Sequence, residues 1–420
     1  MKNLILILII FLCVGCKKSP FENFEIEKVW PDPTVSLKDF KSTILGNKNG
    51  WEFLIHNKGN NSMHYGYLNF KSENSSEFLS DFGPKYYNLT PSEINIQLVE
   101  INAGIVFPTR SKLSLFALES NVLDSIYIVK SLQNDTITLE GQTKRSTLTL
   151  IKVNESKLEK IRNNRIEVNK NALAKILKMP KFFFQLEHEG KKVDLDIDTV
   201  EKTFNLRYTV GDKLNIDVFN YYFDADGIKF HKNLIFNNKS FEKIIINSIS
   251  ESEALLTNGL KIINYKSPIF YDPMAIKVIE GTNISFGWGS TDGFSTRDKT
   301  DITKFKKIKN FSRFILFPRF DTDTIAKKDH GFMGILLRGD YVPGSDLPEV
   351  HIKSNNIIKF IPFKLAQNPS EELNVIETKK LLYPIIYNKI GFYVIQMRNG
   401  FFLVDARDAL TWIYFQQAMS

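Results

Sequence analysis

Apolar positions along this chain recur mostly with a period of two, in short runs broken by Gly, Asn, Asp and Ser. Trp51-Glu52-Phe53-Leu54-Ile55 and Tyr65-Gly66-Tyr67-Leu68-Asn69-Phe70 flank the turn-rich segment 57–62 and predict a hairpin with a longer loop. Runs at 95–101, 112–118, 125–132, 136–140 and 146–153 follow at strand length, and their rhythm predicts a meandering antiparallel sheet. Leu158, Ile161, Ile166, Leu173, Ile176 and Leu177 then recur near a 3.6 period, with Pro180 to stop the run. This predicts one connecting helix over 155–178. Strand patterns resume at Lys181-Phe182-Phe183-Phe184 and include the strict alternation Asp194-Leu195-Asp196-Ile197-Asp198. Short helices are predicted at 36–45, with Ser36 as N-cap and Gly46 as stop, and at 405–418 on an apolar face of Leu410, Ile413, Tyr414 and Phe415. The predicted fold is mostly β: antiparallel sandwich or open-barrel domains with one connecting helix and short terminal helices.

Composition sharpens this picture. Thirty-four Phe and 15 Tyr favour strands, and a 420-residue chain at 43% hydrophobic can bury a large core without disulfide or zinc staples. The formal charge of +8 is mild for this length, and no run reaches five like charges, so no nucleic-acid partner is expected.

The N-terminus carries the most specific signal. Lys2 precedes an apolar run over 4–14, too short for the roughly 20 residues of a membrane span but fitting the roughly 7–15 of a secretory signal. The run closes on Leu12-Cys13-Val14-Gly15-Cys16, which resembles a bacterial lipobox with Cys16 as the lipidated residue. On this reading residues 1–15 are a signal peptide and 16–24 a tether to a membrane acyl anchor. Residues 25–154 form an N-terminal β domain, 155–178 the connector helix, and 179–420 a C-terminal β region with a split near 265. The mature chain then has no free thiol, which excludes Cys nucleophiles, thiolate metal sites and disulfides.

Candidate chemistry is thin. His188-Glu189 begins like a zinc-protease helix, but Lys192 stands where the second ligand belongs. In Gly287-Trp288-Gly289-Ser290-Thr291-Asp292-Gly293, Ser290 lacks the flanking glycines of a nucleophile elbow. That stretch reads as a flexible loop, or as a ligand loop in which an exposed Trp288 stacks on a sugar or peptide and Asp292 hydrogen-bonds it. His56 and His64, facing opposite sides of the predicted hairpin, form no site, and His188, His231, His330 and His351 read as singletons. Asp194, Asp196 and Asp198 share one strand face, either solvated or bridged by calcium. Asp224-Ala225-Asp226-Gly227 superficially resembles a calcium loop but lacks its third oxygen ligand and its Glu. It reads more simply as an Asp-Gly turn, with Asp224 and Asp226 as candidate ligand-binding residues. No cofactor other than calcium is suggested, and no catalytic residues are assigned.

One wider resemblance emerges. The lipobox, a short helix ending before Gly50-Trp51, and the strand at Tyr65–Phe70 form its first part. The strands Asp124-Ser125-Ile126-Tyr127-Ile128-Val129 and Asp135-Thr136-Ile137-Thr138-Leu139-Glu140-Gly141-Gln142-Thr143 complete it. Together they resemble uncharacterised lipoproteins encoded beside SusC/SusD-like uptake systems of Bacteroidota, over roughly residues 25–246. The resemblance implies an outer-membrane, lipid-anchored protein at the cell surface. Its partners would be a TonB-dependent channel and a SusD-like lipoprotein, with a glycan or peptide as ligand. Lys17 and Lys18 follow Cys16 where many surface-exported members carry acidic residues. The expected role is a non-enzymatic accessory that binds substrate or docks on the channel. Its rivals are a carboxylate-based glycoside or peptide hydrolase on a β scaffold, and a structural subunit of an outer-membrane assembly complex.

Overall fold

Ser36 starts the described structure as it should start a helix, its hydroxyl accepting from the Asp39 backbone N–H at 3.1 Å to cap α1 (Leu37–Gly46). The computed structural model describes residues 35–57, 59, 62–120, 123–133, 135–211, 213–272, 274–280, 287–318, 331–338, 345–353, 356–364, 373–397 and 399–417. The lipobox, Cys16 and the tether lie outside them.

The chain is mostly β. A first nine-stranded sheet is built from β1 (Trp51–His56), β2 (Met63–Ser72), β3 (Ser75–Ser80), β4 (Thr90–Glu93), β5 (Asn95–Val99), β6 (Asn102–Val106), β7 (Ile126–Gln133), β8 (Thr136–Gly141) and β9 (Thr147–Lys152), in the order β4-β3-β2-β1-β9-β8-β7-β6-β5. The β1–β2 hairpin pairs His56 with Met63 and Ile55 with His64, so the two imidazoles do face opposite sides. Alternation along β1 buries Trp51, Phe53 and Ile55 against Phe40 and Ile44 of α1, and the Trp51 indole donates to the Ile44 carbonyl at 3.0 Å.

The second nine-stranded sheet comprises β10 (Phe183–His188), β11 (Lys191–Asp198), β12 (Thr203–Val210), β13 (Lys213–Asp224), β14 (Gly227–Phe236), β15 (Lys239–Ile244), β16 (Ile246–Ile249), β17 (Glu253–Leu256) and β18 (Lys261–Tyr265). One apolar core joins it to the first: Met63, Tyr65 and Tyr67 of β2 pack with the intervening helices and with Leu195, Phe204 and Tyr221. The third unit is a closed barrel of β19 (Trp288–Ser290), β20 (Phe311–Phe317), β21 (Phe332–Leu337), β22 (Ser345–Lys353), β23 (Ile357–Lys364), β24 (Phe392–Met397), β25 (Gly400–Asp405) and β26 (Trp412–Gln417). Its core is rich in Phe, including Phe294, Phe314, Phe392, Phe401 and Phe415.

Three local expectations are corrected. The strand predicted at 112–118 is the helix α2 (Lys112–Ser120): Ser111 Oγ accepts from the Ser114 N–H at 3.1 Å, and the buried positions Leu113 and Ala117 are four apart, while Leu115 and Leu118 are exposed. The single connector helix is two, α3 (Glu155–Arg162) and α4 (Arg165–Leu177), because Asn164 turns left-handed at φ 55° between them. The predicted terminal helix is a turn followed by β26. Asp405 accepts from the Arg407 N–H and Asp408 from the Leu410 N–H, Ala409 is left-handed, and Ile413 and Phe415 alternate inward to close the barrel.

Candidate functional site

The strand pair β11–β12 places Asp194 directly opposite Arg207 and Asp196 opposite Asn205. Asp194, Asp196 and Arg207 therefore share the sheet face that looks toward the barrel. Between that face and strands β24 to β26 runs a cleft in two adjoining compartments of about 450 and about 280 Å³. Arg207, Pro268, Phe270, Ile395 and Met397 line both. Tyr271 and Tyr393 flank the larger compartment, their rings 6.0 Å apart; Phe182, Phe402 and Trp412 wall the smaller one.

Its charged groups differ in how fully they are engaged. Asp194 is buried, and its carboxylate accepts from the backbone N–H groups of Ile269 and Phe270 at 2.8–2.9 Å. Burial dominates those bonds and pushes its carboxyl up to about 6. Asp196 is half-exposed, accepting from Arg207 Nη2 at 3.2 Å and Asn205 Nδ2 at 3.4 Å. Arg297, from the loop after β19, donates to the backbone carbonyls of Met179, Lys181 and Phe182, with its guanidinium over the rings of Phe184 (5.2 Å) and Trp412 (4.9 Å). Burial lowers it to about 10. Arg297 thus fastens the barrel to the chain leaving α4. Arg207 is less satisfied: its Nε is buried without a partner.

A second polar cluster joins the first two sheets. Lys157 of α3 lies 3.0 Å from Glu52, 3.0 Å from Asp224 and 2.7 Å from Asp226, and Lys160 lies 2.7 Å from Asp226. Burial opposes the Lys157 charge, but the three carboxylates outweigh it and raise its pKa; Lys157 and Lys160 likewise overcome burial to hold Asp226 well below the usual carboxylate range. Nearby, Lys202 bridges the buried Asp81 (2.7 Å) and His64 Nδ1 (3.4 Å), and His56 stacks on His231 with ring centroids 4.8 Å apart.

The sequence candidates are therefore dispersed. Asp194 and Asp196 meet in the cleft, whereas Asp198 caps its own turn by accepting from the Val200 and Glu201 N–H groups. Each member of this row has its own protein partners, and among the described residues no group of three or more His, Cys, Asp or Glu is placed to hold a metal ion. Asp224 closes β13 opposite Gly227, Asp226 sits in the two-residue β13–β14 turn, and both brace α3. The expected exposed Trp288 is instead 7% exposed, a barrel strand residue packed edge-on against Phe401 at 4.9 Å. Trp288 therefore offers no stacking face, and Asp292, exposed, pairs with Lys306. His231 is not a singleton. Arg207, Arg297 and Trp412 went unmarked in the sequence; for Arg207 the signal existed, since an acidic strand face calls for a cation on the neighbouring strand.

A family model described as "Domain of unknown function (DUF4302)" matches residues 34–248. The chain belongs to this family. The match takes in the first sheet, both connector helices and the second sheet as far as β16, so the barrel wall of the cleft lies outside it. No curated protein matches the chain. Among solved structures, the beta clamp of Helicobacter pylori is 9% identical, over 92% of this chain and 99% of that one, at a TM-score of 0.15. The beta subunit of the DNA polymerase of Streptococcus pyogenes is 11% identical over 91% and 96%, also at 0.15. At such scores the overlap is not a shared fold, and nothing is carried over from either protein.

Proposed function

We propose that this member of the family is an outer-membrane lipoprotein, anchored through Cys16, that binds a ligand in the cleft between its second sheet and its barrel. It serves as an accessory binding or docking subunit of a SusC/SusD-like uptake system. The observation that carries the binding half is the cleft itself. Two β units contribute aromatic walls and convergent polar groups to one concave site, the arrangement usual for small-ligand recognition. The lipobox residues support the anchor, and the strand motifs quoted above support the uptake association.

The test is mass spectrometry of a tagged copy purified from gently solubilised outer membrane. Stoichiometric recovery of a TonB-dependent channel with a SusD-like lipoprotein is the expected result; recovery of an outer-membrane assembly machine, or of the chain alone, would overturn the accessory role. Cys16→Ala should release the protein from the membrane, and continued retention would point to an uncleaved apolar anchor.

One observation favours a second reading, a carboxylate hydrolase: Asp194, raised to about 6, shares the cleft with Asp196. Against it, the Asp194 carboxylate already accepts two backbone N–H groups, and Asp196 is paired to Arg207. Polymer or peptide turnover abolished by Asp194→Asn would establish the hydrolase and displace the accessory reading.

A further inference from the structure

We propose that the cleft takes a ligand with an apolar body and a carboxylate head, the head held by the guanidinium of Arg207. The inference rests on the cleft-binding reading above and adds the chemistry of the ligand. Arginine carries five N–H donors in a planar fork suited to a carboxylate. Among the described residues, the only acceptor for Arg207 is Asp196, through Nη2 at 3.2 Å. Arg297 shows the contrast: its Nε and Nη2 donate to three backbone carbonyls and its plane lies over two rings. A buried donor left unpaired costs about 1–3 kcal/mol, so an under-used guanidinium at the junction of two compartments is a place where an anion gains most.

The surroundings suit the rest of such a molecule. Phe270, Ile395 and Met397 line both compartments beside Arg207, offering an apolar wall on either side of the charged point. A volume of about 280 Å³ for the smaller compartment matches a short acyl or aromatic body rather than a long polymer. The nearby carboxylates repel an anion less than their count suggests. The Asp194 carboxylate is enclosed by the backbone N–H groups of Ile269 and Phe270, and Asp196 is paired with Arg207 itself.

Two sources share this chemistry: a free amphiphilic acid and the C-terminus of a hydrophobic peptide. Isothermal titration of the full chain with octanoate, octanamide, a short N-acetylated peptide ending in phenylalanine, and that peptide's C-terminal amide separates them. At least one acid should bind about tenfold or more tightly than its amide, because a charged hydrogen-bonded head is lost in the amide. Octanoate alone would identify the amphiphile, and the peptide acid alone the chain terminus. Arg207→Gln should abolish the preference for acid over amide. Asp196→Asn should tighten acid binding, since it frees Nη2 and removes a negative neighbour, an effect that a merely structural Arg207 would not produce. Equal binding of acid and amide, or an acid preference that survives Arg207→Gln, would overturn the ligand class and leave the cleft as a binding site. Failure of all four probes would also overturn it, while the co-purification above decides the accessory role independently.

Discussion

Asp124 shows how a single buried side chain accounts for a sequence motif. Its carboxylate accepts from the backbone N–H groups of Thr143 and Lys144 at 2.7 and 2.8 Å, and from both the N–H and the hydroxyl of Ser146. The segments 124–129 and 135–143 are thus tied together because one carboxylate organises the turn between β8 and β9. Gly141 belongs to the same arrangement: a Cβ there would collide with the Asp124 carboxylate. Gly141→Ala is expected to cost about 1–3 kcal/mol through overpacking against a group that cannot withdraw without breaking four hydrogen bonds. A denaturant midpoint unchanged from the parent would show that Asp124 is free to move. Gly66 is constrained similarly, lying under the Phe53 ring of its cross-strand partner. Neither constraint is legible from spacing, because both arise between strands.

At the scale of elements, strand alternation was read correctly in β1, β8 and β9, each with one face buried. It misled in α2, where Leu113 and Leu115 alternate by chance and the helix buries Leu113, Ser114 and Ala117 while Leu115 is exposed. It was missed in β26, where Ile413 and Phe415 alternate but the neighbouring Tyr414 suggested a helical face. The connector breaks at Asn163-Asn164, and Asn is among the few residues with a side chain that tolerate the left-handed region there. Asn164→Ala should therefore cost about 1–2 kcal/mol, and Asn164→Gly less, in chemical denaturation. Equal losses would mean that the side-chain contact of Asn164 with Glu167, rather than its backbone conformation, holds the break. The break matters because it sets α3 so that Lys157 and Lys160 reach the β13–β14 turn.

For the whole molecule, the seam between the first two sheets is sensitive to acid. His64 is half-buried, met edge-on by Phe82 and Phe116; the desolvation this brings, and then the Lys202 ammonium beside it, hold its pKa well below 6.5. His231, exposed on β14, is lowered by partial desolvation, then by His56 and Lys232. As the pH falls below 6.5 the unfolded chain binds protons at these positions before the folded chain does, so stability falls with the pH until the folded groups titrate. Asp194 acts in the opposite sense. With its carboxyl raised to about 6, the folded chain binds the extra proton, and stability falls as the pH rises from the ordinary carboxylate range through 6. His64→Gln should flatten the decline of Tm below pH 6.5 relative to the parent; an identical slope in thermal unfolding would show that His64 is not the group responsible.

The fold class, the succession of short antiparallel strands and the β1–β2 register follow from the linear chain alone, because a period of two and a local turn constrain neighbouring residues whatever the rest of the molecule does. The cleft does not. Arg207, Phe270, Ile395 and Trp412 are separated by up to half the chain, and only the stacking of the second sheet on the barrel brings them together. The same distance effect turned Trp288 from an expected surface platform into core and set Lys157 among three carboxylates from two different sheets. Burial and charge pairing are properties of packed surfaces. The periodicity of a strand says which side chains share a face, and the tertiary structure decides what that face meets.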